Sequence, residues 1–160
     1  MPSSQMIETR RLFLRRLMEQ DRIAIQRMDW LDGRRVIRRS LASEYPFGFM
    51  AVVLKQGSII CGICGLLPQR LDHGTEIEVA YHLLPEFRGR GIATEASRTL
   101  IDYAFSQLDQ GRVVSLIVPD NLASRRVAEK NGLRHERDLM FQGTVHGMHV
   151  IENGRYGVST

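Results

Sequence analysis

The chain has 160 residues, of which 43% are hydrophobic and 25% are charged. This length and composition predict one domain over residues 1–160, with a loose tail from about residue 153, and argue against a disordered chain. The formal net charge of +4 favours anionic ligands such as a phosphate-rich cofactor. No apolar run is long enough for a signal peptide or a membrane span, so we expect a cytoplasmic protein without a membrane partner.

Hydrophobic periodicity and turn residues divide the chain into strands and helices. In chain order the predicted elements are a strand at 12–17, helices at 19–31 and 33–45, strands at 49–54 and 58–67, a polar turn at 68–74, a strand at 75–83, a helix at 91–108, a strand at 113–118, a helix at 121–131 and a closing hairpin at 133–142 and 146–151. This order predicts an α/β (α+β) fold with one mixed sheet of about six to seven strands and helices on both faces. Only the pair at 75–83 and 113–118 has to be parallel, because a helix connects them.

Two sequence features suggest sites that we do not favour. Cys61 and Cys64 form a CxxC pattern, but they lie in an apolar strand where their side chains point to opposite faces, so we expect two core thiols and no metal site. The basic cluster Arg34, Arg35, Arg38 and Arg39 has helical spacing and no interleaved aromatic residue. We therefore expect a solvated helix face and no nucleic-acid partner, although a salt-dependent binding test would address that alternative.

The most informative stretch joins the strand at 75–83 to the helix at 91–108. Gly89 and Gly91 allow the backbone to approach a bulky anion, the helix start offers unpaired N–H groups, and Arg88 and Arg90 add positive charge. These features predict a pyrophosphate site. The P-loop pattern is absent, and the dinucleotide-binding pattern fails because Thr94 stands where its third glycine would be.

The same loop resembles a known family. Arg88-x-x-Gly91-x-Ala93 is similar to the (Q/R)xxGx(G/A) loop of the GCN5-related N-acetyltransferases (GNAT family). The longer run at residues 85–96 resembles the ribosomal-protein N-acetyltransferase (RimJ/RimL) branch, as do residues 9–15 and the late helix at 121–133. The resemblance spans nearly the whole chain and implies a site where the sheet splays between the predicted strands at 75–83 and 113–118.

The resemblance implies acetyl-CoA as cosubstrate and no metal. The pyrophosphate would bind main-chain N–H groups of the loop, the pantetheine arm would pair with the end of the strand at Tyr81 and Leu83, and the thioester oxygen would lie near the Leu83 N–H. Asn121 and Ser124 would face the pantetheine and the sulfur. The implied cofactor-binding residues are Tyr81, Leu83, Arg88, Gly89, Arg90, Gly91, Ile92, Ala93, Thr94, Asn121 and Ser124.

An amine attacks a thioester only when it is unprotonated, so a general base is expected. Glu76 and Glu78 share one face of their strand and are the candidate bases. Glu78 matches a glutamate in the corresponding strand of the RimJ/RimL branch. The alternative to a catalytic role is that Glu78 is a solvent-facing side chain on a half-exposed strand. Many family members use a tyrosine of the late helix as general acid, but Ala128 occupies that position here. Ser124 is the substitute that the resemblance implies, and first-turn capping is its alternative role.

Histidines are weaker catalytic candidates. His82 and His73 are alternative bases, while His146 and His149 are candidates for the lining of an acceptor pocket. We expect an N-acetyltransferase acting on a primary amine, for which a protein N-terminal α-amine and a small amine such as a polyamine or antibiotic both stay open. A non-catalytic CoA-binding module is the competing function, and a homodimer stays open.

Overall fold

The computed structural model describes residues 6–28 and 33–154, with side chains from residue 35 onward in the second segment. Within these residues the chain forms eight strands and four α-helices. The strands are β1 (Met6–Glu8), β2 (Leu12–Arg16), β3 (Gly48–Leu54), β4 (Ile59–Leu71), β5 (Gly74–Leu83), β6 (Arg112–Ile117), β7 (Arg134–Phe141) and β8 (Thr144–Glu152), and the helices are α1 (Arg22–Gln26), α2 (Gly33–Ala42), α3 (Ile92–Ser106) and α4 (Leu122–Lys130). None of these helices is long and apolar enough to cross a membrane.

All eight strands form one mixed sheet in the order β1-β2-β3-β4-β5-β6-β8-β7. Every neighbouring pair is antiparallel except β5 and β6, which are parallel. Helix α3 supplies the crossover between these two strands, as the sequence predicted. The mixed α/β fold is therefore confirmed, and the strand count rises from the predicted six or seven to eight.

Two differences in the strands account for the higher count and for a longer hairpin. Residues 6–8 pair with β2, a short edge strand that the sequence analysis missed because three residues carry no periodicity. The predicted polar turn at 68–74 was wrong in extent, since β4 continues to Leu71 and pairs with β5 down to Gly74. Pro68 is accommodated within this long strand opposite Ile77.

The first helical region is shorter than predicted. The helix expected at 19–31 is a 3₁₀ turn (Glu19–Asp21) followed by the five residues of α1, and residues 29–31 lie outside the described part. Helix α2 ends at Ala42, three residues before the predicted end. The other predicted helices, α3 and α4, lie within two residues of their expected bounds.

Both faces of the sheet are buried in the hydrophobic core, as the unbroken run of buried residues in β4 shows. Helix α3 packs against β4 and β5, and α1 and α2 pack against β4 and β3. Members of this core that are essentially inaccessible include Val52, Ile63, Leu66, Ala96, Leu100 and Ala104. The packing of α3 against β4 and β5 fixes the start of the helix relative to the end of β5, the region in which the sequence predicted a site.

Gly62 allows β4 to approach the end of β5 closely. A Cβ atom there would overlap the His82 carbonyl oxygen and lie 2.9 Å from the Leu83 Cα. These contacts are with backbone, which cannot move away as the end of a flexible side chain would. A side chain at position 62 would therefore displace the end of β5.

We predict that Gly62→Ala destabilises the protein by about 1–3 kcal/mol, the usual cost of overpacking. Gly111→Ala is the matched control, because a Cβ at Gly111 meets no atom within 4 Å. Chemical denaturation of both variants measures the effect. Equal stability of the two variants would contradict the close approach of β4 and β5.

Candidate active site

Strands β5 and β6 separate soon after they meet. Only one pair of residues, Glu78 and Val114, is in register between them, although β5 continues for five residues beyond that point. The Leu84 N–H donates to the Cys61 carbonyl at 2.8 Å, so the alternating antiparallel ladder directs the main-chain groups of Tyr81 and Leu83 away from β4. These groups face the split, where a ligand in extended conformation can pair with them.

The Glu78 side chain occupies the point at which the two strands part. Its Oε2 accepts a hydrogen bond from the Leu116 N–H at 3.1 Å. In a continued parallel ladder that N–H would donate to a main-chain carbonyl of β5. The carboxylate thus replaces the ladder acceptor and ties β6 to β5 while leaving the strands apart above it.

The environment of Glu78 prepares its carboxylate to take up a proton near neutral pH. The residue is only 6% exposed, and burial raises its pKa to about 7, although hydrogen bonds from Gln69 and Leu116 oppose the rise. Gln69 Nε2 donates to Glu78 Oε1 at 3.0 Å. The alternative of a solvent-facing glutamate is therefore wrong.

Glu76 lies on the same face but has different partners. It is paired with Arg112 and with His73 Nε2, the latter at 2.9 Å. Burial opposes ionisation of Glu76, yet the hydrogen bonds from Arg112 and His73 hold its pKa below the usual value. A carboxylate held in this way is a poor proton acceptor, so the geometry favours Glu78 over Glu76 as the base.

The loop before α3 has the backbone that an anion site requires. Gly89 and Gly91 have φ angles of 76° and 75°, in the left-handed region that favours glycine. Gly91 is the N-cap of α3 and has no side chain with which to cap the first-turn N–H groups. These N–H groups, at Ile92, Ala93 and Thr94, are available to a ligand.

The two arginines of the loop have different contacts. Arg88 Nε donates to the Leu83 carbonyl at 3.3 Å, which links the loop to the end of β5. The Arg90 guanidinium lies 5.6 Å from the centre of the Phe87 ring. Both side chains are exposed, so their charges remain accessible at the rim of the loop.

The turn between β1 and β2 holds this loop in place, a function that the sequence analysis did not assign to it. Arg11 donates through Nε to Glu95 Oε1 at 2.7 Å and through an Nη atom to the Arg90 carbonyl at 2.9 Å. Glu95 lies in the first turn of α3 and also accepts hydrogen bonds from the Arg11 N–H and the Thr9 hydroxyl. The resemblance at residues 9–15 was the available signal, but no contact could be read from it.

Helix α4 forms the other wall above the split. Asn121 is its N-cap and accepts a hydrogen bond from the Ser124 N–H at 3.1 Å. The Tyr81 hydroxyl donates to the Ser124 carbonyl at 3.2 Å and so connects β5 to α4 across the split. Ala128 is buried against the core. The capping residue is thus Asn121, and the Ser124 side chain is half-buried at the cleft.

The histidine candidates separate by position. Burial, with Arg88 nearby, lowers the pKa of His82 to about 4, so it is a weak base. His73 hydrogen-bonds Glu76 and Asp72 in the β4–β5 turn, outside the cleft. Of the two candidates for an acceptor pocket, His146 lines the cleft, whereas His149 packs against His135 and is not part of the lining.

A cleft of ≈ 1060 Å³ joins Glu78, Tyr81 and the start of α4, whereas Leu83 and the loop at 88–94 are not part of its lining. We call it the central cleft. Its walls are the split between β5 and β6, the start of α4, one face of α2, and the turn between β7 and β8. Its lining includes Arg35, Val36, Arg39, Ser40, Phe49, Gln69, Glu78, Tyr81, His82, Leu116, Asn121, Ser124, Phe141 and His146.

The sequence and the fold match known proteins. A profile of the Acetyltransferase (GNAT) domain matches residues 11–134. YdaF of Bacillus subtilis (strain 168), provisionally named a ribosomal N-acetyltransferase, is 39% identical over 106 residues, which cover 64% of this chain and 55% of YdaF. The chain spans about half the length of the first curated relatives that it matches.

Solved structures share the fold over almost the whole chain. An acetyltransferase from Agrobacterium tumefaciens str. C58 superposes with a TM-score of 0.79 at 26% identity, covering 94% of this chain and 95% of that one. RimL, a ribosomal L7/L12 alpha-N-protein acetyltransferase in complex with coenzyme A, superposes with a TM-score of 0.71 at 16% identity, covering 92% of this chain and 97% of that one. At that identity the second likeness shows the fold alone.

We predict opposite stability changes for Glu78→Gln and Glu76→Gln at pH 8. Because the folded-state pKa of Glu78 is raised, its stabilising contribution is complete below about pH 4.5 and is lost as pH rises through about 7. The neutral Glu78→Gln side chain avoids this loss, so it should raise Tm at pH 8 and change it little near pH 4.5. The gain at pH 8 should be on the order of 2–3 kcal/mol.

The Glu76→Gln variant is the matched control, two residues away on the same strand. In the wild type, the pKa of Glu76 is lowered in the folded state. The contribution of Glu76 to the free energy of unfolding is therefore present above about pH 4.5 and is lost as pH falls. Glu76→Gln should therefore lower Tm at pH 8. Differential scanning fluorimetry across pH measures both variants, and a lower Tm for Glu78→Gln at pH 8 would contradict the buried, weakly compensated carboxylate.

We predict that Arg11→Ala weakens CoA binding about tenfold, because the loss of hydrogen bonds to Arg90 and Glu95 loosens the loop. Arg70→Ala is the control, since Arg70 is exposed on the hairpin of β4 and β5 and makes no ion pair with the loop in the described part of the chain. Isothermal titration with CoA gives both affinities. Identical affinities would show that the loop keeps its shape without Arg11.

Proposed function

The chain belongs to the GNAT acetyltransferase family, and from this premise we propose that it transfers the acetyl group of acetyl-CoA to a primary amine by direct attack on the thioester. GNAT acetyltransferases use acetyl-CoA, so the donor follows from the family. The acceptor and the catalytic residues are the substance of the proposal. The observation that carries it is Glu78, a buried carboxylate with a pKa of about 7 that lines the central cleft.

The donor would enter the split between β5 and β6. Its pyrophosphate would accept hydrogen bonds from main-chain N–H groups between Gly89 and Thr94, with Arg88 and Arg90 beside it. Its pantetheine arm would run along the free main-chain edge of β5 at Tyr81 and Leu83. Asn121 and Ser124 at the start of α4 would border the arm on the other side.

The reaction requires a neutral amine and a base to receive its proton. A lysine amine has an ordinary pKa of about 10.4 and an N-terminal α-amine one of about 7.7–8.0, so the latter needs less assistance. Glu78 would accept the proton directly or through a water molecule. The Leu83 N–H would stabilise the oxyanion that forms on the thioester carbonyl.

The intermediate then collapses with loss of CoA as a thiolate. A thiol with a pKa of about 8.5 leaves readily, so a strong general acid is not required. The Ser124 hydroxyl is the donor that we propose for the sulfur. Burial raises the pKa of the Tyr81 hydroxyl, which makes it a poor acid for this step.

We propose a protein N-terminal α-amine as the first acceptor to test. The name of YdaF, a ribosomal N-acetyltransferase, supports a protein acceptor, and a base with a pKa of about 7 is well matched to an α-amine. A small-molecule amine is the alternative acceptor. The two free cysteines fit a reducing compartment, and we place the reaction in the cytoplasm.

The test is an acetyl-transfer assay with N-terminal peptides and small amines, read by release of free CoA thiol. We predict that Glu78→Gln lowers kcat by about 10²–10⁴-fold at pH 7, the usual size of general base catalysis. The wild-type rate should rise through pH 7 as Glu78 ionises, and this limb should be missing in the variant. The deficit should shrink at higher pH because more of the amine is already neutral.

Affinity for CoA separates catalysis from binding in the same variant. Glu78→Gln should bind CoA as the wild type does, since the side chain faces the acceptor and not the phosphates. Folded Glu76→Gln should retain catalysis within a few fold. If Glu78→Gln turns over at the wild-type rate across pH, solvent deprotonates the amine and the enzyme works by positioning alone.

A further inference from the structure

The charges that line the central cleft are unevenly distributed. Arg35 and Arg39 of α2 stand on one wall, and Glu78 stands on another. Among the described residues that line the cleft, Glu78 is the only carboxylate, and it is needed as the base. His82 is uncharged at neutral pH because burial keeps its pKa near 4. Among the described residues, the wall formed by α2 therefore adds positive charge to the cleft.

The structure fixes the arginines in this orientation. The buried Ser40 hydroxyl accepts a hydrogen bond from the Phe49 N–H at 3.1 Å, which anchors α2 to β3. Ile37 is buried on the inner side of the helix, so the rotation of α2 about its axis is determined. Residues four apart lie on one helical face, which directs Arg35 and Arg39 to the cleft.

The neighbouring Arg38 provides a contrast. It is equally exposed, but it does not line the cleft. If α2 were simply a basic helix facing solvent, its arginines would not be expected to border the cleft. Here two of the three arginines with described side chains border the space in which the acceptor has to lie.

From this distribution we infer that the preferred acceptor is an amine that carries an anionic group, a carboxylate or a phosphate, at a distance from its reacting nitrogen. This inference rests on the proposed function. The Arg39 guanidinium would bind such an anion with charge-assisted hydrogen bonds while the amine lies at Glu78. A polyamine would instead bring its second ammonium group against Arg39, which is electrostatically unfavourable.

An amine that carries an anionic group can be either a protein N-terminus or a small molecule, and two pairs of matched probes distinguish these acceptors. One pair consists of an N-terminal peptide with acidic residues after its first position and the same peptide with lysines there. The other pair consists of an ω-amino carboxylate and a diamine of equal chain length. A neutral peptide serves as the reference for transfer itself. The quantity compared is kcat/KM at low salt.

We expect the wild type to prefer the anionic member of a pair by about tenfold or more, and the preference to decrease at high salt as the charges are screened. Arg39→Glu should abolish or reverse the preference. Arg38→Glu, which makes the same change in net charge on the same helix, should retain it. A preference within the peptide pair identifies a protein N-terminus as the source, and one confined to the small-molecule pair identifies a small amine.

Three outcomes would overturn the inference. The first is equal acetylation of anionic and cationic probes by the wild type. The second is the same loss of preference in Arg38→Glu and Arg39→Glu, which would indicate only a general charge effect. The third is a raised KM for acetyl-CoA in Arg39→Glu with the acceptor preference unchanged, which would assign the arginine to the cosubstrate. Failure to acetylate any probe, the neutral peptide included, would instead contradict the proposed function.

Discussion

The hydrogen bond between the Glu78 carboxylate and the Leu116 N–H is the interaction on which the site depends. Two parallel strands that part inside a sheet leave main-chain groups without partners, and buried groups of this kind are costly. Glu78 satisfies one of them on β6 and brings a carboxylate to the origin of the split. The hydrogen bond at the origin of the cleft and the carboxylate that we propose as base therefore belong to one residue.

The split is held at both ends. Below it, Arg112 at the start of β6 pairs with Glu76 of β5 and also with Glu136 and Glu152, so these strands stay together before they part. Above it, Arg11 holds the loop that begins α3. Arg112 and Arg11 thus make the contacts on the two sides of the split, and the neutral amide of Gln69 donates to Glu78 between them.

Local sequence patterns predicted most of the fold. Hydrophobic periodicity located β5 and α3 to within two residues, and the loop glycines have the left-handed backbone that favours this residue type. Strands that depend on pairing with a neighbouring strand were harder to predict from the sequence. Strand β1 forms because it pairs with β2, and β4 continues through Pro68 because β5 lies beside it. The burial of Glu78 belongs to this second class, since its spacing with Glu76 predicts a shared face but not what covers that face. The clamp formed by Arg11 and Glu95 spans 84 positions and has no local signature.

The different fates of Glu76 and Glu78 show how neighbouring side chains assign a role to identical residues. A guanidinium beside a carboxylate stabilises its charge and lowers its pKa, as Arg112 does for Glu76. An arginine in place of Gln69 would do the same to Glu78 and remove its capacity to accept a proton near pH 7. The amide of Gln69 orients the carboxylate with a weaker hydrogen bond, so burial remains the larger effect on its pKa. The proposed base thus has a partner that directs its carboxylate without neutralising it, and the ion pair that links β5 to β6 lies two residues away, at Glu76.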